Sequence, residues 1–383
     1  MKVFNSLLTL TTLSVLISGC LAGITEAELR QKSANGLRLI SLQEGVEPEW
    51  KTFDEVSELI KEDTGFFDVT EFYDPSNPAA IINSRRIIPA TYDAPSRISE
   101  VKALFDAISV ENMQQYSSNL TSFFNRHYQS PTGAAASVWI RDTVQDFINA
   151  YPESGATVSL FNNTYVQSSI IANIPGTSPY EPIIVLGGHM DSINRGDRTA
   201  AAPSPGADDD GSGTGNLLEI FRVLVSTRFK PTRTVEFHWY AAEEAGLLGS
   251  QAVARKYRTD GVQVKAMLQL DMTAYTKPGT EEVVGLIPDF VDSSLTDFVG
   301  SLVDEYLNIP WITSNPCGYG CSDHASWFRE GYPSAFPFES ALRDSNPFIH
   351  TVNDTVDLEG FSWSHSVEFT KLGVAFAVEL GAA

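Results

Sequence analysis

From about residue 95 onward the apolar positions fall into two alternating rhythms. Ile98 to Ile108 and Val110 to Ser122 place apolar residues three or four apart, the spacing of one helix face, and Ala135 to Tyr151 does the same. Strand-like runs then follow at Thr157 to Phe161, Ser169 to Ile174, Pro182 to Gly187, Thr234 to Trp239 and Val264 to Leu270. Helical lengths recur at Gly211 to Ser226, Leu248 to Tyr257, Leu295 to Leu307 and Ser364 to Leu380. The runs PIIVLGG and VKAMLQLDM are almost continuously apolar, as strands covered on both faces are. Strands separated by helices predict an α/β fold, a three-layer sandwich whose mostly parallel, mixed central sheet is covered by helices. In such sheets ligands gather beyond the carboxyl ends of the strands.

The first ninety residues read differently. Lys2, the apolar stretch Leu7 to Ile17 and the small residues Ser18 to Ala22 predict a signal peptide over residues 1–19. Ile17-Ser18-Gly19-Cys20 also fits a bacterial lipoprotein processing site. Residues 20–88 combine a helix-like stretch, Pro48 to Lys61, with acidic patches, a Pro/Asn-rich break and the dibasic pair Arg85-Arg86. This composition suits a pro-segment that folds against a catalytic domain spanning residues 89–383 and shields it; a small permanent N-terminal domain is the alternative. No coiled-coil heptad is present, and a monomer is expected.

Charge narrows the partners. With 48 acidic and 26 basic residues the formal charge is −22, which repels nucleic acid and anionic membrane surfaces. An extracellular, secreted location makes Asn119, Asn162 and Asn353 candidate glycan acceptors. It also favours a small disulfide loop between Cys317 and Cys321 in CGYGC over a two-thiolate zinc site, which would need other ligands.

Five segments carry polar residues that a fold alone does not require. His189 and Asp191 in GGHMD lie two apart after an apolar run, where a carboxylate can fix the tautomer of a metal-bound imidazole. Asp208, Asp209 and Asp210 stand in succession, a costly arrangement unless a cation sits among them. Glu243 and Glu244 follow TVEFHWY and, as neighbours, can divide metal binding from proton transfer. Asp271 closes VKAMLQL, and His350 sits in PFIHTVND. Together they form a nitrogen and oxygen donor set of the zinc type.

GGHMDS, PGADDDGSG, AAEEAGLLGS, QLDMTAY, CGYGCSDHASW and FIHT, in this order, resemble the dizinc aminopeptidases typified by secreted bacterial and fungal leucine aminopeptidases. The resemblance runs from roughly residue 95 to the end, and the preceding region is similar to the fungal pro-segment. It implies two Zn2+ ions bridged by Asp209, with His189 and Asp271 on one and Glu244 and His350 on the other. It further implies a cis peptide at Asp209-Asp210, Asp191 orienting His189, and Glu243 as the general base for an attacking water. The substrates implied are peptides with a free α-amine, and Leu or another large apolar residue is the expected first residue. Glutaminyl cyclases share the wider fold and are the alternative.

Tyr319 in the CGYGC loop, with Phe336 and Phe338, is a candidate wall of the side-chain pocket; core packing is the other reading of these aromatics. His324 supports that loop or contacts substrate, and His238 and His365 read as structural. Ser212 and Ser322 lie outside any G-x-S-x-G arrangement.

Overall fold

The computed structural model describes residues 23–382 except 63, 88, 89 and 179; the signal peptide and Cys20 lie outside the described residues. The chain opens with an N-terminal unit: α1 (Glu26–Ala34), β1 (Arg38–Ser41), β2 (Glu49–Lys51), α2 (Phe53–Lys61), β3 (Phe67–Asp68) and α3 (Ala79–Ile82). Its three strands pair antiparallel in the order β2-β1-β3. The single helix expected over Pro48 to Lys61 is instead a short strand followed by a helix. Thr52 and Glu55 cap each other's backbone, and this capping box starts α2 at Phe53.

The chain continues with α4 (Ile98–Phe105), α5 (Val110–Ser122), α6 (Pro131–Ala150), β4 (Thr157–Phe161), β5 (Ser169–Ile174), β6 (Ile183–His189), α7 (Gly211–Ser226), β7 (Val235–Tyr240), α8 (Leu248–Asp260) and β8 (Val264–Gln269). It closes with β9 (Val284–Leu286), α9 (Ser293–Tyr306), β10 (Trp311–Thr313), α10 (His324–Arg329), β11 (Ser334–Ala335), β12 (Pro337–Phe338) and α11 (Trp363–Gly381). Six strands form the main sheet in the order β11-β8-β6-β7-β5-β4. β11, β8, β6 and β7 are parallel neighbours, whereas β5 runs against both β7 and β4. A smaller sheet, β10-β9-β12, extends the edge near β11.

Alternation along the strands divides the core. Ile184, Leu186, Phe237, Trp239 and Leu268 face one large cluster that includes α7, α9 and α11. Val185, Tyr240 and Met267 face the other side, against Val253 of α8 and Trp327 of α10. The three layers expected from the sequence are therefore present. α7 is enclosed around its whole girth: all of it except Arg222 and Ser226 is buried, the polar Asn216 and Glu219 included. Its start can approach the strand ends because Gly213 has no Cβ, which would lie 2.2 Å from the carbonyl of Leu270.

Leu186, fully buried in the central strand β6, tests the packing. Leu186→Ala is expected to lower the stability of the zinc-free protein by about 2–5 kcal/mol, read as a lower denaturant midpoint by circular dichroism.

Candidate metal centre

Three adjacent parallel strands, β8, β6 and β7, deliver their carboxyl ends to one place. His189 is the last residue of β6, Glu243 and Glu244 follow β7, and Asp271 follows β8. Asp209 reaches the same point from the turn before α7, and His350 from the loop before α11. His189 Nε2 lies 3.1 Å from Asp209 Oδ1 and 3.5 Å from Asp271 Oδ1. His350 Nε2 lies 3.0 Å from the other Asp209 oxygen, Oδ2, and 2.9 Å from Glu244 Oε2. Two metal-sized clusters result, His189/Asp209/Asp271 and Asp209/Glu244/His350, with Asp209 in both.

Backbone bonds explain why three consecutive aspartates tolerate burial. Only Asp209 turns into the site. Asp210 caps α7 by accepting from Gly213 N at 2.8 Å, and it also accepts from His189 N at 3.0 Å. Asp208 points away, accepting from Ala274 N at 3.1 Å and from the Asn346 amide at 3.1 Å. The peptide between Asp209 and Asp210 is cis. Asp354 accepts from the backbone N–H groups of Asp208 (3.2 Å) and Asp209 (3.1 Å), so it holds the turn from behind.

Asp191 has a second function in the geometry. Its Oδ1 stands 3.6 Å from His189 Nδ1, while its own carbonyl oxygen is nearer, at 3.2 Å. Its carboxylate also accepts from Glu243 N (3.0 Å) and Glu244 N (3.2 Å), fixing both glutamates. The Glu243 side chain itself forms no hydrogen bond or ion pair among the described residues, and it lines the cavity.

Charge in the site is strongly displaced from ordinary values. Burial disfavours the His189 imidazolium, yet Asp271, Glu243, Asp191 and Asp209 outweigh it and raise its pKa well above the usual range. His350 is raised in the same way, against burial, by Glu244 and Asp209. Burial raises Glu244 to about 7, and burial raises Glu243 well above the carboxylate range with Asp323, Glu244 and Asp271 adding to it. Asp209 is lowered despite burial, because both imidazoles bond to it.

The donor set fits zinc. Asp271 Oδ1 and Glu244 Oε1 are buried yet accept no hydrogen bond, while Ser322 fixes the second Asp271 oxygen at 2.5 Å. Ser322 and Ser212, which donates to the Asp208 carbonyl at 2.8 Å, are thus occupied in holding the site.

A cavity of about 290 Å³ opens beside these residues, lined on one side by Met272, Tyr319, Phe336, Phe338 and Ile349. Phe336 and Phe338 are both buried and meet edge to face, with centroids 5.6 Å apart. Cys317 and Cys321 are joined in a disulfide, and Asp289 accepts from the N–H groups of Cys317 and Gly318 at 3.1 and 2.6 Å. His324 supports this loop from below: it packs on Phe336, its Nε2 lies 3.2 Å from the Asp289 carbonyl, and burial lowers its pKa to about 3. His238 is buried in β7 beside Glu236, and His365 Nε2 lies 2.8 Å from the Glu339 carbonyl; both belong to the framework.

The other side of the cavity is formed by the N-terminal unit. Ile60, Thr64, Gly65 and Phe66 line it together with His189, Asp209 and Glu244. Gly65 lies flat on Tyr319, where a Cβ would fall 1.3 Å from ring carbon Cε2. Beside it Asp68 N donates to the carbonyl of Gly246 at 3.1 Å, and Gly246 has φ 94°. The candidate glycan acceptors stand apart from the centre. Asn162 and Asn353 are exposed, and Asn119 is half-buried on α5.

A model of peptidase family M28 matches residues 169–376, which hold every residue of the two clusters. The chain belongs to this family. The chain is 43% identical over 344 residues to leucine aminopeptidase 1 of Coccidioides posadasii, covering 86% of each chain. It is 39% identical over 385 residues to leucine aminopeptidase 1 of Fusarium vanettenii, covering 96% of this chain and 95% of that one. Among solved structures, the LapA aminopeptidase of Legionella pneumophila is 31% identical with a TM-score of 0.78, over 91% of this chain and 94% of that one. The protein is a zinc aminopeptidase acting on peptides, with the α/β sandwich of the family. Among the described residues no helix is long and apolar enough to cross a membrane.

Zinc takes an imidazole only in its neutral form. Because His189 and His350 hold protons well above the usual pH, zinc uptake is expected to release protons and to weaken as pH falls. Titration calorimetry of the zinc-free protein in buffers of different ionisation enthalpy, between pH 6 and 8, should show affinity rising about tenfold per pH unit for each proton displaced.

Proposed function

We propose that this secreted, monomeric aminopeptidase releases large apolar residues such as Leu from peptides with a free α-amine. One observation carries the reading: Asp209 offers one oxygen to each of two clusters, and the uncommitted Glu243 lines the cavity that they share. In this assignment His189, Asp271 and Asp209 hold one Zn2+, and Asp209, Glu244 and His350 hold the other. Zinc, when bound, supplies Lewis acidity that lowers the pKa of water and polarises a carbonyl.

The chain's own groups supply the rest. Glu243 takes the proton of the attacking water and returns it to the departing amine. Its side chain is committed to no other group among the described residues and faces the cavity, so the carboxylate is free to carry that proton. Asp191 keeps Glu243 at its station through the backbone N–H and faces His189 Nδ1. Met272, Phe336, Phe338 and Ile349 give the first side chain an apolar wall, with Tyr319 above it.

We read residues 20–88 as a pro-segment that covers the centre, and residues 89–383 as the catalytic domain. The roof formed by Ile60 and Thr64 to Phe66 supports this. The positions of Asn162 and Asn353 on the surface, and of Asn119 at a half-buried helix position, are compatible with N-glycans on a secreted chain.

Two measurements bear on these roles. Matched Leu-initiated peptides with free or acetylated termini, followed by mass spectrometry, should show stepwise loss of leucine from the free peptide only. Internal cutting of both would overturn the assignment. Glu243→Gln is expected to keep its zinc, measured by atomic absorption, while kcat falls about 10²–10⁴-fold.

The cover is tested at Gly65. Gly65→Leu drives a side chain into Tyr319 and should raise the activity of the uncut chain. The expected rise is at least about tenfold, the effect of 1.4 kcal/mol of lost docking.

A further inference from the structure

The loop 194–203 leads from His189 and Asp191 towards the turn that carries Asp209, and it forms neither helix nor strand. Its base is closed by the Asn194 amide, which donates to the Pro203 carbonyl at 3.0 Å, and by the Ser192 hydroxyl, which donates to the Ser204 carbonyl at 2.9 Å. Inside it, Asp197 accepts from the N–H and hydroxyl of Thr199 at 3.0 and 2.7 Å, so the acid of this loop is spent on its own turn. The loop borders the centre. Arg195 N donates to the His350 carbonyl at 2.8 Å, and Ile193 packs with Ile60 and Phe66, both of which line the cavity.

Two arginines stand on this loop, both half-buried. Acids outnumber bases 48 to 26 in the chain, yet among the described residues neither Arg195 nor Arg198 is paired with a carboxylate. The contacts of the Arg198 guanidinium are with the N-terminal unit: it lies 5.4 Å from the centre of the Phe53 ring, and its Nη1 donates to the Ser57 hydroxyl at 3.3 Å. Its Nε is buried without a hydrogen-bond partner. Burial presses its pKa down, and Glu244, beside the centre, acts against that together with Tyr128. Departure of the N-terminal unit removes both contacts and leaves a guanidinium whose donors are unmet. A carboxylate meets Nε and an Nη at once, in the paired geometry that arginine favours.

We propose that Arg198, with Arg195 beside it, is a carboxylate-binding subsite for the part of the substrate beyond the scissile bond, so that the enzyme favours di- and tripeptides with a free C-terminus. The subsite presupposes the aminopeptidase reading and the departure of the cover. The apolar wall of Met272, Phe336 and Phe338 adjoins Asp271 in one cluster, whereas the loop adjoins His350 in the other. A chain whose first side chain lies on that wall runs across the centre towards the arginines. Each further extended residue adds about 3.3–3.6 Å, which sets the terminal carboxylate of a tripeptide about 7 Å past the bond that is cut. An Asp or Glu side chain at that place offers the same group. The contact is remote from the reacting atoms and is made before and during reaction alike, so it lowers KM and leaves kcat as it is.

The test uses the full chain, folded and zinc-loaded, then freed of its N-terminal unit by limited proteolysis and checked by intact mass. KM and kcat are measured for Leu-Gly and Leu-Gly-Gly, each as free acid and as C-terminal amide, and for Leu-Gly-Asp amide. The acid is expected to show a KM at least about tenfold below that of its amide at one of the two lengths, the effect of one charge-assisted contact, with kcat alike. Added salt should shrink the difference. Arg198→Gln should bring the ratio of KM values close to one, Arg198→Lys should keep part of it, and Arg141→Gln, on the surface of α6, should keep all of it. If Leu-Gly-Asp amide shares the advantage, side-chain carboxylates are taken as well; if it does not, the C-terminus alone is read, and either result supports the subsite. Equal KM for acid and amide overturns it, and so does a difference that survives in Arg198→Gln. Failure to release leucine from any of the five peptides sinks the aminopeptidase reading instead.

Discussion

Ten carboxyl groups crowd the carboxyl ends of three strands, and among the described residues no lysine or arginine side chain is bonded to any of them. Asp191, Asp208, Asp209, Asp210, Glu243, Glu244, Asp271, Asp323, Glu339 and Asp354 all lie at or behind the centre. Arg126, fully buried nearby, donates to main-chain carbonyls of Met190 and Gly206 at 2.7 Å each rather than to these acids. Burying charge without a partner is costly, so the burden falls on backbone N–H groups and on cations from solution. Asp191, Asp208, Asp210, Glu339 and Asp354 take the first solution. Asp209, Glu244 and Asp271 belong to the two clusters, and Glu244 Oε1 and Asp271 Oδ1 accept no hydrogen bond.

This division makes the loops and the centre one construction. Asp210 binds backbone at His189 and Gly213, Asp354 binds the turn at Asp208 and Asp209, and Asp191 binds both glutamates. Glu339 accepts from Tyr275 N and Asn346 N at 2.8 and 2.9 Å, extending the same scheme behind Asp208. Acids outside the two clusters thus set the positions of those within them. The disulfide loop is fastened by the same device, through Asp289.

Periodic burial made most of the framework legible in the sequence. The bounds read for β4, β5, α5 and α7 are those observed, and at α5 the reason is the three-to-four spacing of its buried face, Met113, Tyr116 and Leu120. His189, Glu243, Glu244 and Asp271 were visible as polar residues at the end of apolar runs, whereas Asp209 and His350 stood out through their own segments, PGADDDGSG and PFIHTVND. What escaped depends on distant contacts. Asp354 lies 145 residues from the amide of Asp209 that it holds, and it sits inside Asn353-Asp354-Thr355, a triplet whose local pattern suggests a glycan. The second role of Asp191 is equally hidden, since no periodicity reveals that its carboxylate spans to the Glu243 and Glu244 amides. The short strands β9, β10 and β12 carry too few residues to set a period.

The roof meets Tyr319 with a glycine and leaves about 290 Å³ unfilled beneath it. The N-terminal unit is no imitation of a bound peptide, because it borders the chamber without filling it. Lid and small guest are then compatible tenants. A single amino acid has room in a chamber of this size while the N-terminal unit stays in place, so the two can be bound at once.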